Sequence, residues 1–234
     1  MGLIRAPASE KDAAMTDQTQ KIALVTGASR GLGAAMAEAL AGRGYHVIAL
    51  ARTVGGLEEL DDRIKAAGGS ATLVPVDIND DDAMAQICHS IHDRWGHVDL
   101  LVHAAIHVPP LAPMEHVDAK DLDKTLATNI RATARLILNT TPLLKAAETG
   151  QAVLFDDPEQ ADKFHGAYGL TKAAQMRMAA SWRDETAKTG VAVHMLIPAP
   201  MPTATRGRFY PGEDRSKLAD CHAEAARLLD QLSL

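Results

Sequence analysis

The chain has 234 residues, a formal net charge of −6 and 47% apolar residues, of which few are aromatic. One domain with a large core is the default at that length; the negative balance argues against a general nucleic-acid or anionic-membrane role, and 3% aromatics leaves no stacking platform for single strands. The two cysteines, Cys88 and Cys221, are far apart without metal spacing and read as reduced, buried thiols of a cytoplasmic protein.

From the N-terminus, the first 20 residues carry mixed charges and no apolar h-region, which excludes a secretory signal. They read as a flexible extension or a mis-assigned start, since Met15 precedes a short polar lead, and a single domain is expected over 21–234. No later run approaches the ~18 apolar residues of a membrane span. Ile22–Thr26 predicts a first strand. Thr26-Gly27-Ala28-Ser29-Arg30-Gly31-Leu32-Gly33 follows and opens a small-residue helix over 31–42. Strand, glycine turn and helix is the context of a dinucleotide site: Gly27 allows the tight turn, Gly31 lets backbone lie against a pyrophosphate, and Gly33 lets the helix sit close on the sheet. The helix's free N–H groups then face the phosphates.

Further strands are predicted at His46–Leu50, Ala71–Pro75, Val98–Val102, Gln151–Phe155 and Val191–Ile197, with helices near 56–67, 80–94, 118–147, 166–189 and 217–232. Strands that are apolar throughout suit a parallel sheet covered on both faces. Right-handed crossovers make it an α/β, Rossmann-type, doubly wound sheet. Pro109, Pro110 and Pro113 mark a loop after the fourth strand, and Pro198, Pro200 and Pro202 one after the sixth. Ligands gather at such carboxyl ends.

Tyr168 and Lys172 stand four apart, on one helix face. A phenol is a poor acid near neutrality, and an ammonium beside it favours the phenolate, so the pair is suited to exchanging a proton with a carbonyl or hydroxyl oxygen. The second strand ends Ile48-Ala49-Leu50-Ala51-Arg52-Thr53, with no acid to hold a ribose 2′-OH. Arg52, with Arg30 in the glycine loop, suits a 2′-phosphate, which favours NADP(H) over NAD(H).

The glycine turn, Asp77 after the third strand, Asn129 in the helix before the fifth, and Tyr168 with Lys172 together resemble the short-chain dehydrogenase/reductase family. Pro198-Ala199-Pro200-Met201-Pro202-Thr203 is similar to its Pro-Gly-x-x-x-Thr stretch, with Ala199 in place of glycine, and the likeness runs from about Lys21 to Thr203. The resemblance implies Tyr168 as acid/base, Lys172 lowering its pKa and holding the nicotinamide ribose, and Asn129 positioning a relay water. It also implies Asp77 at the adenine amino group, flanked by Ile78, with Ala104, Ala105 and Pro198 along the cofactor and Thr203 at the carboxamide. A small-molecule substrate is expected, and a homodimer or homotetramer pairing helices 118–147 and 166–189.

The chain departs from that pattern in several places. The family's serine at the end of the fifth strand is missing: Phe155 is followed by Asp156-Asp157-Pro158, and no Ser or Thr occurs from Gln151 to Ala167. Asp156 or Asp157 takes its place, and Asp156 is expected in the site. A carboxylate only accepts hydrogen bonds and raises a neighbouring phenol's pKa, opposing Lys172. Pteridine reductases, a branch of the family, are similar here, which adds a pterin-like C=N bond to the candidate substrates. His103-Ala104-Ala105-Ile106 stands where Asn-Asn-Ala-Gly is usual, so polar ties in the sheet are expected to be lost and Ile106 to crowd the cofactor. His103, His107 and His116 read as polar loop or strand-end residues, not metal ligands. No seventh strand is visible, so six are expected, with the open edge covered by the last helix or a partner. In the segment Thr203–Ser216, Arg206 and Arg208 are poised for an anionic substrate or for solvent. The first reading is an NADP(H)-dependent reductase of a small carbonyl or imine. The second is a dinucleotide-binding protein without turnover, acting as a redox sensor or partner subunit.

Overall fold

A computed structural model describes residues 20–158, 163–232 and 234, so nearly all of the expected N-terminal extension lies outside the described residues. Six parallel strands form one sheet in the order β3-β2-β1-β4-β5-β6. They are β1 (Ile22–Thr26), β2 (His46–Ala51), β3 (Ser70–Pro75), β4 (Leu100–His103), β5 (Gln151–Phe155) and β6 (Ala192–Leu196). The order reverses between β1 and β4, and that switch point leaves a crevice at the carboxyl ends of the two strands.

Side chains alternate across the sheet, as the pleat requires. Ala23, Val25, Val47, Ala49, Val102 and Val153 face one core, with helices α1 (Gly31–Gly42), α2 (Val54–Ala66) and α8 (Cys221–Leu229). Ile22, Leu24, Ile48, Leu50, Leu101 and Leu154 face the other, with α3 (Asp81–Trp95), α5 (Thr133–Ala146) and α6 (Gly166–Thr186). Both faces are therefore dry, which explains strands of unbroken apolar sequence.

The expected single helix 118–147 is three pieces: α4 (Ala119–Leu126), a π-helical turn over Ala127–Ala132, and α5. A short helix that periodicity missed, α7 (Ala204–Phe209), follows β6. The last helix is shorter than expected and packs beside α1, through Leu228 and Leu229 in the core and an Arg43–Asp230 ion pair. It covers a face of the sheet and leaves the outer edge of β6 unpaired among the described residues. Cys88 is buried, which pushes its thiol up to about 11, whereas Cys221 is only half-buried. No helix among the described residues is long and apolar enough to cross a membrane.

The expected loss of polar ties at the end of β4 does not occur. His103 is 4% exposed and bonds on both sides, to Thr26 Oγ1 and to Thr133 Oγ1, each at 2.8 Å. The proton positions follow by counting. The one hydroxyl proton of Thr133 goes to the Asn129 carbonyl, so His103 Nε2–H donates to Thr133 and Nδ1 accepts from Thr26. This neutral ring is required because burial, with the Lys172 charge second, pulls His103 down to about 3. Its contribution to stability is complete above its ordinary pKa near 6.5 and is lost as pH falls towards 3. Urea melts of wild type should lose stability across that acid window, and His103→Leu should flatten the slope. At neutral pH the variant should cost about 1–3 kcal/mol, because two buried hydroxyls lose their partner.

Candidate active site

The crevice at the switch point opens into a cleft of about 840 Å³, a size suited to a small-molecule ligand. Gly27, Ser29, Arg30, Gly31, Leu32 and Gly33 line it from the β1–α1 turn. Arg52, Asp77, Ile78, Ala104 and Ala105 line it from the neighbouring strand ends, and Pro198 and Thr203 from the loop after β6. Asp156, Asp157, Tyr168 and Lys172 complete the wall. Asn129 lies behind it, fully buried.

The glycine turn is fixed by close approach. A Cβ on Gly27 would stand 2.7 Å from Ala105 N, and one on Gly33 2.3 Å from the Gly27 carbonyl. Gly27 also has φ +71°, a conformation that glycine adopts without steric cost. Arg30, at the N-cap of α1, is extended and gives no side-chain cap, so the free N–H groups of the first turn are left for an anion. Gly31 faces Thr203 across a narrow gap, where an added Cβ would lie 3.3 Å from the Thr203 methyl. A cradle with no room for side chains, closed by helix N–H groups and rimmed by Arg30 and Arg52, fits a dinucleotide phosphate. Asp77 does not cap α3. Asp80 does so, accepting from Ala83 N, while Asp77 accepts from Asn79 and lies 3.9 Å from Arg52.

The loop after β6 is held by a buried carboxylate. Glu224 of α8 accepts from Ala199 N at 2.7 Å and from Arg227, which also reaches the Ile197 carbonyl. Arg227 first, and then the Ala199 N–H, hold Glu224 below the usual carboxylate range. Thr203 Oγ1 caps α7 by accepting from Arg206 N. Ile106 lines the cleft and packs against the apolar cluster of Val108, Tyr168 and Phe209.

Tyr168 is 3% exposed, and its hydroxyl donates to Asp157 Oδ2 at 3.2 Å. Asp157, and not Asp156, therefore meets the tyrosine; Asp156 Oδ1 accepts from the Asp157 N–H. The phenol is held well above its ordinary range, first by burial and then by the Asp157 and Asp156 carboxylates. The upward push foreseen for a carboxylate thus exceeds any lowering by Lys172. Lys172 Nζ donates to the Phe155 carbonyl and to Gln175 Oε1, each at 2.8 Å, and burial pulls it down to about 8. Asn129 is wedged rather than open to the cleft. Its amide pairs with the backbone of His107 and with Thr171 Oγ1, and its carbonyl accepts from Thr133 and Gln175.

Gln175 is a site residue that the sequence hides, and Phe209, within the segment Thr203–Ser216, shows its place against Tyr168 only in the structure. Gln175 carried one faint signal, a polar side chain three residues after Lys172 and hence on its face of the helix. Phe209 sits edge-on to Tyr168, with ring centroids 5.0 Å apart, and also against His165 at 4.8 Å. Both arginines of α7 are tied to the protein: Arg206 chelates Glu213 and stacks on Tyr210, while Arg208, though exposed, donates to the Val108 carbonyl. His116 is exposed on a short turn, and no cluster of three or more metal-binding side chains occurs among the described residues.

Fold and site define a dinucleotide-binding α/β protein with a Tyr–Lys pair, and the family model for short chain dehydrogenase matches residues 21–214. The chain belongs to that family of NAD(P)-dependent oxidoreductases. Among curated relatives it is similar to the fatty acyl-CoA reductase of Acinetobacter baylyi, 36% identical over 134 residues, which are 57% of this chain and 45% of that protein. The chain thus spans about half the length of that relative. A short chain dehydrogenase of Salmonella enterica serovar Typhi superimposes with a TM-score of 0.83 at 26% identity, covering 93% of this chain and 90% of that one. A metagenomic short-chain oxidoreductase in complex with NADP does so with a TM-score of 0.71 at 29% identity, covering 76% and 81%.

The Tyr168–Asp157 contact is testable by alkaline ultraviolet titration. In wild type Tyr168 should stay protonated until the chain unfolds. Asp157→Ser should bring its ionisation down by about one unit or more, because a charge and an acceptor leave together.

Proposed function

We propose that the chain is an NADP(H)-dependent reductase of a small substrate with a polarised C=N or C=O bond, in which Tyr168 donates the proton. The observation that carries this reading is the Tyr168 hydroxyl on Asp157 at 3.2 Å, beside Lys172 and across the cleft from the glycine cradle. When bound, the nucleotide supplies the hydride. Tyr168, kept protonated by burial and two carboxylates, carries at neutral pH the proton that the reductive direction consumes. Asp157 only accepts, so it suits a substrate that brings an N–H beside the bond to be reduced, as a pterin-like ring does. Phe209 and Val108 cover the tyrosine with apolar surface and favour a compact, flat substrate. Preference for NADP(H) is supported by Arg30 and Arg52 on the rim, by the absence of an acid at the end of β2, and by the NADP bound to the metagenomic relative.

A second reading, a nucleotide-binding sensor or partner subunit without turnover, draws on Lys172, which donates to the Phe155 carbonyl and to Gln175 rather than into the open cleft. Fluorescence titration with NADPH and NADH, followed by a screen of carbonyl and pterin substrates, separates the two. Under the first reading NADPH binds more tightly, Arg52→Ala narrows the difference by about tenfold, and Tyr168→Phe loses turnover with cofactor affinity kept. Turnover that survives Tyr168→Phe, or nucleotide binding with no reduction of any substrate, favours the second.

For assembly, we propose a homodimer, or a tetramer built from it, across α5 and α6. Leu138 is 62% exposed on α5. A hollow beside it is lined by Ile137, Met178 and Trp182, whose buried Nε1 has no partner among the described residues. Light scattering should report a dimer at micromolar concentration and a monomer for Leu138→Glu, since a charge there would be buried unpaired.

A further inference from the structure

Lys172 brings an ammonium to a place only 6% exposed. A buried charge needs acceptors, and one of the two it finds is a side chain, Gln175 Oε1. Gln175 is itself 2% exposed, and its amide is used on both sides: Nε2 donates to Thr133 Oγ1 at 2.9 Å and to the Asn129 carbonyl at 3.3 Å. The amide has one possible orientation. An ammonium accepts nothing, so it must meet the oxygen, and the carbonyl must meet the NH₂. The Asn129 carbonyl belongs to the π-helical turn before α5, an irregularity often found at functional sites. A continuous dry path thus runs from Lys172 through Gln175 to Asn129 and Thr133, and on through His103 to Thr26. A carboxamide joins two polar groups but does not hand protons along, as a water in the same place would.

We infer that Gln175 is a positioning residue that fixes Lys172 and closes the inner end of the site to proton exchange, so that Tyr168 regains its proton from the Asp157 side of the cleft. This rests on the reading of Tyr168 as proton donor. The balance is simple: the Tyr168 O–H bond breaks as the substrate takes the proton, and the phenolate is reprotonated by bulk water entering beside Asp157. The titratable groups facing Lys172 are Tyr168 on its own helix, Asp156 and Asp157 after β5, and His103 at the end of β4. Gln175 is the neutral group that holds it on the remaining side.

Two measurements test this. In the first, the full chain carries lysine labelled with ¹³C at Cε, and Lys172 is titrated by NMR, its resonance assigned with Lys172→Met. Gln175→Leu should titrate about one unit below wild type, having lost an acceptor, and Gln175→Glu about one unit above, having gained a charge. Gln175→Glu is isosteric and decides the matter if the leucine variant does not fold. Identical titrations in wild type and Gln175→Glu overturn the positioning role. This arm needs no nucleotide, so it stands even if wild type binds neither NADPH nor NADH, a result that would remove the reductase reading alone. The second arm measures turnover. Asp157→Asn should be slow, and adding Gln175→Ala, which makes room for water, should restore about tenfold, whereas adding Gln175→Leu should not. No recovery with alanine overturns the closed inner route.

Discussion

An ammonium held almost out of water is the constraint around which this molecule is organised. Lys172 lies between the end of β5, the turn before α5 and its own helix, and each must be in place for the charge to be tolerated. The β5 contribution is the Phe155 carbonyl, a backbone group presented only because the strand stops there and its next residues turn away. The α6 contribution is Gln175, and the turn before α5 fixes Gln175 in its turn through Asn129 and Thr133. Breaking such a set by removing one partner leaves a buried charge short of acceptors, which costs far more than a surface pair. The polar interior is thus a single unit from α6 to β1. That unit explains why a histidine stands at the end of β4: its two nitrogens reach both threonines.

The same interior shifts the chemistry of the tyrosine. Across from Lys172 are two carboxylates where a neutral hydroxyl would have left the phenol easier to ionise, and the phenol is held in its protonated form. Burial acts first and charge second, so the site is a dry pocket for an acid before it is an electrostatic device. A carboxylate next to the proton donor also changes what a substrate must bring. It rewards a hydrogen-bond donor on the ligand and offers nothing to a developing negative charge, which distinguishes it from an oxyanion-binding arrangement.

How legible this was depends on the range of the interactions. Ile22–Thr26 and Gln151–Phe155 match their predicted bounds, because continuous apolar runs ended by turn residues are local signals. Gly27 and Gly33 were readable for the same reason: a single missing Cβ carries the meaning. Tyr168 and Lys172 were legible through their helical spacing. What sequence missed is the partner of each side chain. Nothing local distinguishes Asp156 from Asp157, since the direction of each is set by how the chain leaves β5. The replacement of sheet-tying amides by His103 looked like a loss until Thr26 and Thr133, 77 and 30 positions away, were seen to meet it. The break in the helix over 118–147 was invisible, because no Gly or Pro stands from Ala119 to Thr141 to mark it.

The cover over the tyrosine is made from pieces far apart in the chain. Arg208 of α7 grips the Val108 carbonyl, a hundred positions earlier, while Phe209 presses on Tyr168 and His165. Arg206, Tyr210 and Glu213 brace the same short helix from its outer side. Segments joined at so many points lift together or not at all. The proline-marked loop after β4 and the helix after β6 are therefore thermodynamically linked: a change that loosens one weakens the other's hold on the pocket, so double substitutions across them will not be additive.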